Sequence, residues 1–305
     1  MNFPHLQGRE KRLEPLGFTG KQAEWITLVC LHSGIFTRDQ AETFFEATKS
    51  TANRFIQTLL EVRISRWPVA SEAITDGRRI CRIFHKGIYR DLDIPNVRHR
   101  RESSIEVTRR RLLSLDIVLD HPDLPWLPTE QEKVACFEQI GIDPKLLPKR
   151  IYAGRANGRV RYFHIKMPIA VSHDLAVFAY IDPGMGTRSE LDSWGAAHRE
   201  LWNKLRQSGR RVEVVAAAWE HKHLDRARRR LQFWRTREIS EAEKEILILR
   251  QALSQADWDT VERYGGFDAA VEKIKHSEPE TALPHGGGMI DDYRLWGSRV
   301  GGQGY

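Results

Sequence analysis

Residues 50–61 carry polar side chains at a spacing suited to reading DNA. On a helix, the apolar residues of this segment share one face, and the other face presents Thr51, Asn53, Arg54, Gln57 and Glu61. Such side chains can hydrogen-bond the edges of bases in the major groove. The pattern therefore predicts a recognition helix. The alternative is a solvated helix face in a module that binds other proteins.

Arginines also recur on the two segments that follow. Residues 63–69 and 78–85 alternate between apolar and polar side chains, and Thr75-Asp76-Gly77 between them is typical of a turn. This pattern predicts a β-hairpin, or wing, whose cations reach phosphates or the minor groove. The arginines concerned are Arg63, Arg66, Arg78, Arg79 and Arg82.

The elements that must position these residues lie before them. Residues 1–18 read as a loose leader, because Pro and Gly interrupt them. A helix follows to about Gly34, and a second helix opens at Thr37 with Gln40 three residues later, as in a capping box. The order helix, short helix, helix, hairpin predicts a winged helix-turn-helix DNA-binding domain over residues 19–95.

An arginine-rich helix is also predicted, at residues 222–234. Its apolar residues share one face, while Arg228 and Arg229 lie on the other. Such a helix can lie along a phosphate backbone and so contribute to DNA binding. The alternative is that these arginines pair with the acidic helices predicted at residues 240–280.

Composition is consistent with a polyanionic partner. The 305-residue chain has a formal charge of +7 and a pI near 9.4. Basic residues outnumber acidic ones between 197 and 240, and the reverse holds from 241 onward. No apolar run approaches the roughly 18–20 residues that cross a membrane, and the three cysteines lie far apart. We therefore expect a cytoplasmic protein with reduced thiols and no membrane segment.

Other combinations of reactive residues do not make a complete metal, nucleotide or nucleophile motif. His221 and His223 have the spacing of a metal-binding pair, but no third ligand is apparent, and a basic surface loop is favoured. Gly184 and Gly186 lack the spacing of a dinucleotide-binding loop and the lysine of a P-loop. The sequence contains no GxSxG motif for a serine nucleophile.

Residues 103–235 alternate between helical and strand patterns. The predicted order is two helices, three strands, a helix, a buried strand and the arginine-rich helix, which indicates an α/β core with a mixed sheet. We predict acidic helices at residues 240–280 and a flexible, glycine-rich tail at residues 281–305. The fold class is therefore α+β and multidomain.

The order of elements resembles the plasmid replication-relaxation family, which includes certain mobilisation relaxases. The matching stretches are residues 18–89 and 161–218, the latter with Phe178-Ala-Tyr-Ile-Asp-Pro-Gly, a helix around Trp194 and His198, and a final strand at residues 212–218. The resemblance implies a winged helix followed by a restriction-endonuclease-like core of the PD-(D/E)xK type. It also implies a mobile-element setting, in transfer, replication or their regulation.

The catalytic residues of that family can be matched to this chain only in part. Asp182 would stand for the strand-end carboxylate, with Glu106, or Glu130 together with Lys133, as further candidates. The position of the family's lysine is occupied by Gly184, and Ile169 follows Pro168 where the family has aspartate. The resemblance thus implies a degenerate nuclease site, with Mg²⁺ as cofactor only if the chain cleaves DNA.

Three functions follow as hypotheses. The first is a non-catalytic protein that binds double-stranded DNA, with a homodimer suited to a palindromic site. The second is a metal-dependent nicking endonuclease or relaxase. The third is an adaptor subunit of a nucleoprotein complex, whose C-terminal helices bind a protein partner.

Overall fold

The chain is a mixed α+β protein, for which we obtained a computed structural model. The structure describes residues 3–66, 80–152, 159–184, 188–235, 249, 252–253, 257–276 and 288–297. Residues 1–232 and 290–305 form one compact unit, and residues 233–289 form a second. Across the described residues, every helix is either too short or too polar to cross a bilayer.

The first part of the larger unit contains helices and a small antiparallel sheet of strand order β1-β3-β2. The Thr37–Gln40 capping box is present and fixes the start of the second helix. The elements in chain order are α1 (Gly20–His32), β1 (Ile35–Thr37), α2 (Arg38–Phe45), α3 (Lys49–Glu61), β2 (Ser65–Arg66), β3 (Ile80–Ile83) and α4 (Lys86–Asp91).

Residues 3–18 are packed against the rest of this unit, so the prediction of a loose leader was wrong. Two 3-10 helices, Pro4–Leu6 and Arg9–Leu16, place apolar side chains in the hydrophobic core. Leu13 is completely buried, and Phe3 stacks on Phe44 of α2 with ring centroids 5.7 Å apart. The glycines and prolines of this segment bend the chain, but the segment stays packed against the core.

The rest of the larger unit is built around a four-stranded sheet of order β6-β7-β8-β9. Strand β6 is antiparallel to β7, while β7, β8 and β9 are mutually parallel. The elements are α5 (Ile105–Asp120), α6 (Glu130–Gln139), β4 (Lys149–Tyr152), β5 (Arg159–Tyr162), β6 (Ile169–Val171), β7 (Leu175–Asp182), α7 (Arg188–Gln207), β8 (Arg211–Ala218), α8 (His221–Trp234) and β9 (Asp292–Gly297). Strands β4 and β5 form a separate two-stranded sheet.

Strand β9 lies where a flexible tail was expected, and that prediction was wrong for residues 292–297. Asp291, just before the strand, accepts a hydrogen bond from Val212 N at 2.7 Å and pairs with Arg206. Arg294 pairs with the buried Glu213 of β8. These contacts and the backbone ladder fix the strand in the sheet. Residues 298–305 of the predicted tail lie outside the described part.

Helix α5 joins the N-terminal helices and the main sheet in one hydrophobic core. The cluster contains residues of α1 and β1, residues 112–119 of α5, and residues of β7 and β8. Gln40 of α2 donates hydrogen bonds to Leu112 O and Asp116 Oδ1 of α5, at 2.9 and 2.8 Å. The segments 19–95 and 103–235, distinguished in the sequence, therefore pack around common side chains.

The second unit contains two of the helices expected among residues 240–280. These are α9 (Trp258–Arg263), capped by Asp257, and α10 (Gly266–His276). Leu249, Ala252, Val261 and Ala270 form their small apolar cluster. Most of residues 240–256, where the first acidic helix was predicted, lies outside the described residues.

Candidate nucleic-acid interface

Helix α3 separates an apolar face from a polar one. Its buried side chains are Ala52, Phe55, Ile56 and Leu59. The four side chains predicted to reach bases are all exposed, namely Thr51, Asn53, Arg54 and Gln57. Among the described residues, neither Arg54 nor Gln57 has a side-chain partner, so both are available to a ligand.

The predicted wing is described only in part. Arg63 is exposed and has a φ of 55°, in the left-handed region, where the chain turns out of α3. Arg66 lies in β2 opposite Arg82. Arg82 is 4% exposed and pairs with Glu102, so its prediction as an outward-facing wing residue was wrong. Arg78 and Arg79 lie outside the described residues.

The arginines of α8 differ in their surroundings. Arg228 and Arg229 are exposed and have no carboxylate partner within the described ranges. Arg230 pairs with Asp192 of α7, and Arg226 lines a cleft beside β7. The outer pair, which the sequence singled out, is therefore free of ion pairs with the described residues.

Asp182 lies at the carboxyl end of β7, where parallel strands commonly place ligand-binding groups. Its Oδ2 accepts a hydrogen bond from His223 Nδ1 at 2.8 Å, and its Oδ1 accepts one from Gly184 N at 2.8 Å. Parallel pairing puts Asp182 opposite Ala218, so His223 at the start of α8 comes within reach. The cleft here is lined by Tyr180, Leu191 and Arg226 as well.

Burial alters the ionisation of two groups near Asp182. The pKa of Tyr180 is raised, first by burial and then by the charges of Asp182 and Glu190. The pKa of Glu190 is also raised by burial, although Arg110 opposes the shift. Arg110 lies between two carboxylates, 2.7 Å from Glu106 and 3.2 Å from Glu190. The sequence did not point to Glu190, whereas Arg226 lies in the predicted arginine-rich helix.

The other candidate catalytic residues have ion-pair or hydrogen-bond partners of their own. Glu106 pairs with Arg110, and Glu130 accepts a hydrogen bond from Tyr162 N at 2.8 Å while pairing with Arg161. Lys133 is buried and donates to Met167 O at 2.7 Å, and burial lowers its pKa to about 7. All three of these residues are therefore engaged by other groups of the chain, and Glu106 is linked through Arg110 to Glu190, whose pKa is raised in part by Asp182.

Two further features argue against a magnesium site at Asp182. Ile169, at the position of the family's aspartate, is buried opposite Phe178, roughly 13 Å along β7 from Asp182. Both oxygens of Asp182 already accept hydrogen bonds from donors of this chain, whereas Mg²⁺ needs several converging oxygen ligands. Within the described ranges, no three His, Cys, Asp or Glu side chains are grouped so as to hold a metal ion.

Gly184 occupies a backbone position that disfavours a lysine. Its φ is +83°, which L-residues with side chains rarely adopt. A Cβ there would lie 3.2 Å from Glu220 Oε1 and 3.4 Å from Arg109 Nη1. Arg109 also lies over the Trp219 ring at 4.9 Å and donates to Pro183 O. The turn after β7 is therefore built around glycine.

Comparisons with known proteins give no relative for this chain. No family model matches it, and neither curated proteins nor solved structures show a significant similarity.

Proposed function

We propose that the protein binds double-stranded DNA through a winged helix-turn-helix formed by residues 19–95. The observation that carries the proposal is α3, which sets four exposed polar side chains over an apolar face anchored in the core. Such a helix matches the dimensions and chemistry of the major groove. The chain's net charge of +7 supports a polyanionic ligand.

The arrangement around α3 supports the winged-helix assignment. Helices α1, α2 and α3 precede two antiparallel strands, β2 and β3, and β1 completes a sheet of order β1-β3-β2. The chain between β2 and β3 carries Arg78 and Arg79, which we assign to phosphate contacts. We assign Arg63, two residues after the end of α3, and Arg66 in β2 to the same role.

We further propose that the α/β part is a nuclease-like core that positions DNA without cutting it. The order of α5, β6, β7, α7 and β8 supports the assignment, and the hydrogen bonds that both oxygens of Asp182 accept argue against metal-dependent cleavage. Arg228 and Arg229 of α8 would contact the DNA backbone. The setting we propose is a mobile genetic element, in its transfer, replication or regulation.

Replacing Arg54 and Gln57 by alanine is expected to reduce sequence preference. A paired contact to a base contributes about 1–3 kcal/mol of discrimination, whereas non-specific affinity depends mainly on phosphate contacts. The ratio of specific to non-specific affinity should therefore fall about tenfold or more in fluorescence anisotropy titrations.

The matched control for this variant is Lys204→Ala with Gln207→Ala. Like Arg54 and Gln57, these exposed residues of α7 are a basic side chain and an amide side chain three positions apart. An unchanged ratio in the α3 variant, or an equal loss in the control, would reject α3 as the reading surface.

The wild-type protein is expected not to nick supercoiled plasmid in the presence of Mg²⁺ or Mn²⁺. Asp182 is held by His223 and Gly184, and the remaining candidates are paired elsewhere. Agarose gels of plasmid incubated with wild type and with Asp182→Asn test this expectation. Nicking by wild type that Asp182→Asn abolishes would replace the proposal with an endonuclease.

A further inference from the structure

Strands β4 and β5 form an antiparallel ribbon that stands apart from the four-stranded sheet. All four residues of β4, Lys149 to Tyr152, are exposed to solvent. The register pairs Arg150 with Arg161 and Ile151 with Val160. A strand exposed on both faces gains little from burial, so its side chains remain accessible to a ligand.

The ribbon is basic. Its two strands contain Lys149, Arg150, Arg159 and Arg161, and no aspartate or glutamate. One carboxylate reaches the ribbon from outside, because Glu130 of α6 pairs with Arg161 and accepts from Tyr162 N. Glu130 therefore anchors the base of the ribbon, while Lys149 and Arg150 keep their positive charge uncompensated within the described part of the chain.

The two faces of the ribbon differ in chemistry. Directly opposed residues share a face, so Arg150 and Arg161 lie on one side, while Ile151 and Val160 lie on the other. Lys149, two residues before Ile151 in β4, lies on the side of Ile151. Ile151 is 66% exposed and Val160 is 40% exposed. The Arg150 guanidinium lies over the Tyr152 ring at 5.2 Å, which orders this pair.

A basic hollow begins where the ribbon ends. Lys86 of α4, Arg100 and Arg101 line it together with Arg161 of the ribbon. Pro95, Asn96 and Val97 complete the lining. Among the described residues, Lys86, Arg100 and Arg101 have no carboxylate partner, and the nearby Glu102 pairs with Arg82. Ribbon and hollow therefore form one continuous cationic surface.

We propose that this ribbon and hollow are a second DNA-contacting surface, separate from α3, with the ribbon lying in a groove of the duplex. The inference rests on the proposed DNA-binding function and adds a contact to it. A two-stranded ribbon fits the major groove, which is about 12 Å wide. Lys149 and Arg150 contact phosphates from opposite faces of the ribbon, Ile151 and Val160 lie against sugars and base edges, and the hollow holds the backbone of the adjoining strand.

The test is the double variant Lys149→Ala with Arg150→Ala in the full chain, titrated with mixed-sequence duplex DNA over a range of salt concentrations. We expect about a tenfold or larger loss of affinity. The slope of log K against log salt should become shallower by about 1.8, because two phosphate contacts are removed. Both side chains are exposed, so the thermal melting curve should match that of wild type.

The charge-matched control is Lys204→Ala with Lys275→Ala, two exposed lysines outside the ribbon and the hollow. It should leave affinity and slope close to those of wild type. If wild type binds the duplex and the ribbon variant binds equally well with the same slope, the ribbon inference fails and the DNA-binding proposal stands. Absence of salt-dependent binding by wild type overturns both.

A change confined to self-association also overturns the ribbon inference. Sedimentation velocity of wild type and of the ribbon variant, without DNA, provides this readout. A shift in oligomeric state with unchanged DNA affinity would assign Lys149 and Arg150 to a contact between protein chains.

Discussion

Lowering the pH from 6.5 to 4 should cost the protein several kcal/mol of its free energy of unfolding. Burial lowers the pKa of His5 to about 4 and that of His198 to about 4. Burial also lowers the pKa values of His32 and His99. Each of the first two histidines accounts for about 3 kcal/mol, since one pKa unit corresponds to about 1.4 kcal/mol.

The direction follows from proton uptake in the unfolded chain. An unfolded histidine binds a proton near pH 6.5, whereas folded His5 and His198 remain neutral down to about pH 4. Between these values the unfolded state holds more protons, so acid favours it. The stabilisation is complete above pH 6.5 and is lost as the pH falls through this window.

The surroundings of these histidines explain why they stay neutral. His198 donates from Nδ1 to Trp194 O at 2.7 Å, and its ring packs against Phe178, Trp194 and Trp202. His5 and His32 face each other with their Nε2 atoms 3.0 Å apart, so one donates and the other accepts. A second proton there would put two donors face to face in the core.

Urea unfolding at a series of pH values between 7.5 and 4 measures the effect. His198→Phe serves as the diagnostic variant, because the aromatic surroundings accept a phenyl ring and the titrating group is gone. Between pH 6.5 and 4, the free energy of unfolding of this variant should fall by about 3 kcal/mol less than that of wild type, which is the contribution of one histidine. A wild-type profile that is flat from pH 6.5 to 4 would contradict the prediction, as would a His198→Phe profile as steep as wild type.

Leu115→Ala in α5 is expected to destabilise the larger unit by about 2–5 kcal/mol. Leu115 is completely buried in the cluster that includes side chains of α1, β1, β7 and β8. A cavity there removes apolar contacts from the core that the N-terminal helices share with the four-stranded sheet. Ile105→Ala, at a 41% exposed position on the same helix, is the matched control and should change stability by about 0.5 kcal/mol or less.

Hydrogen exchange distinguishes a shared core from two independent ones. In Leu115→Ala, backbone amides of α1 and of β8 should lose protection together, because opening one part exposes side chains of the other. Faster exchange confined to either α1 or β8 would show that the two parts unfold separately.

Local signals in the sequence were sufficient for the N-terminal helices. The Thr37–Gln40 capping box fixes the start of α2, and the apolar spacing of α3 correctly gave its buried face. Strand β1 escaped detection because three residues are too few for an alternation pattern. Strand β9 was missed since its signal is long-range, namely parallel pairing with β8 and the contacts of Asp291 and Arg294.

Side-chain partners were the least predictable part of the candidate site. Exposure of Arg54 and Gln57 follows from helical spacing alone. Burial of Arg82 depends on Glu102, and the role of Glu130 depends on a ribbon that begins about twenty residues later in the chain. Asp182 and His223 are 41 positions apart and meet only because β7 and β8 are parallel. Such contacts depend on the order and direction of the strands, and no local pattern in the sequence predicts them.

Selection of bound duplexes from a randomised DNA pool tests the central claim most directly, with the full-length wild type and Arg54→Ala/Gln57→Ala compared side by side. We predict that wild type enriches a defined sequence motif and that the variant retains salt-dependent DNA binding but loses that enrichment. A wild-type protein that retains no duplex above background, or a variant that enriches the same motif equally well, would contradict DNA reading by α3.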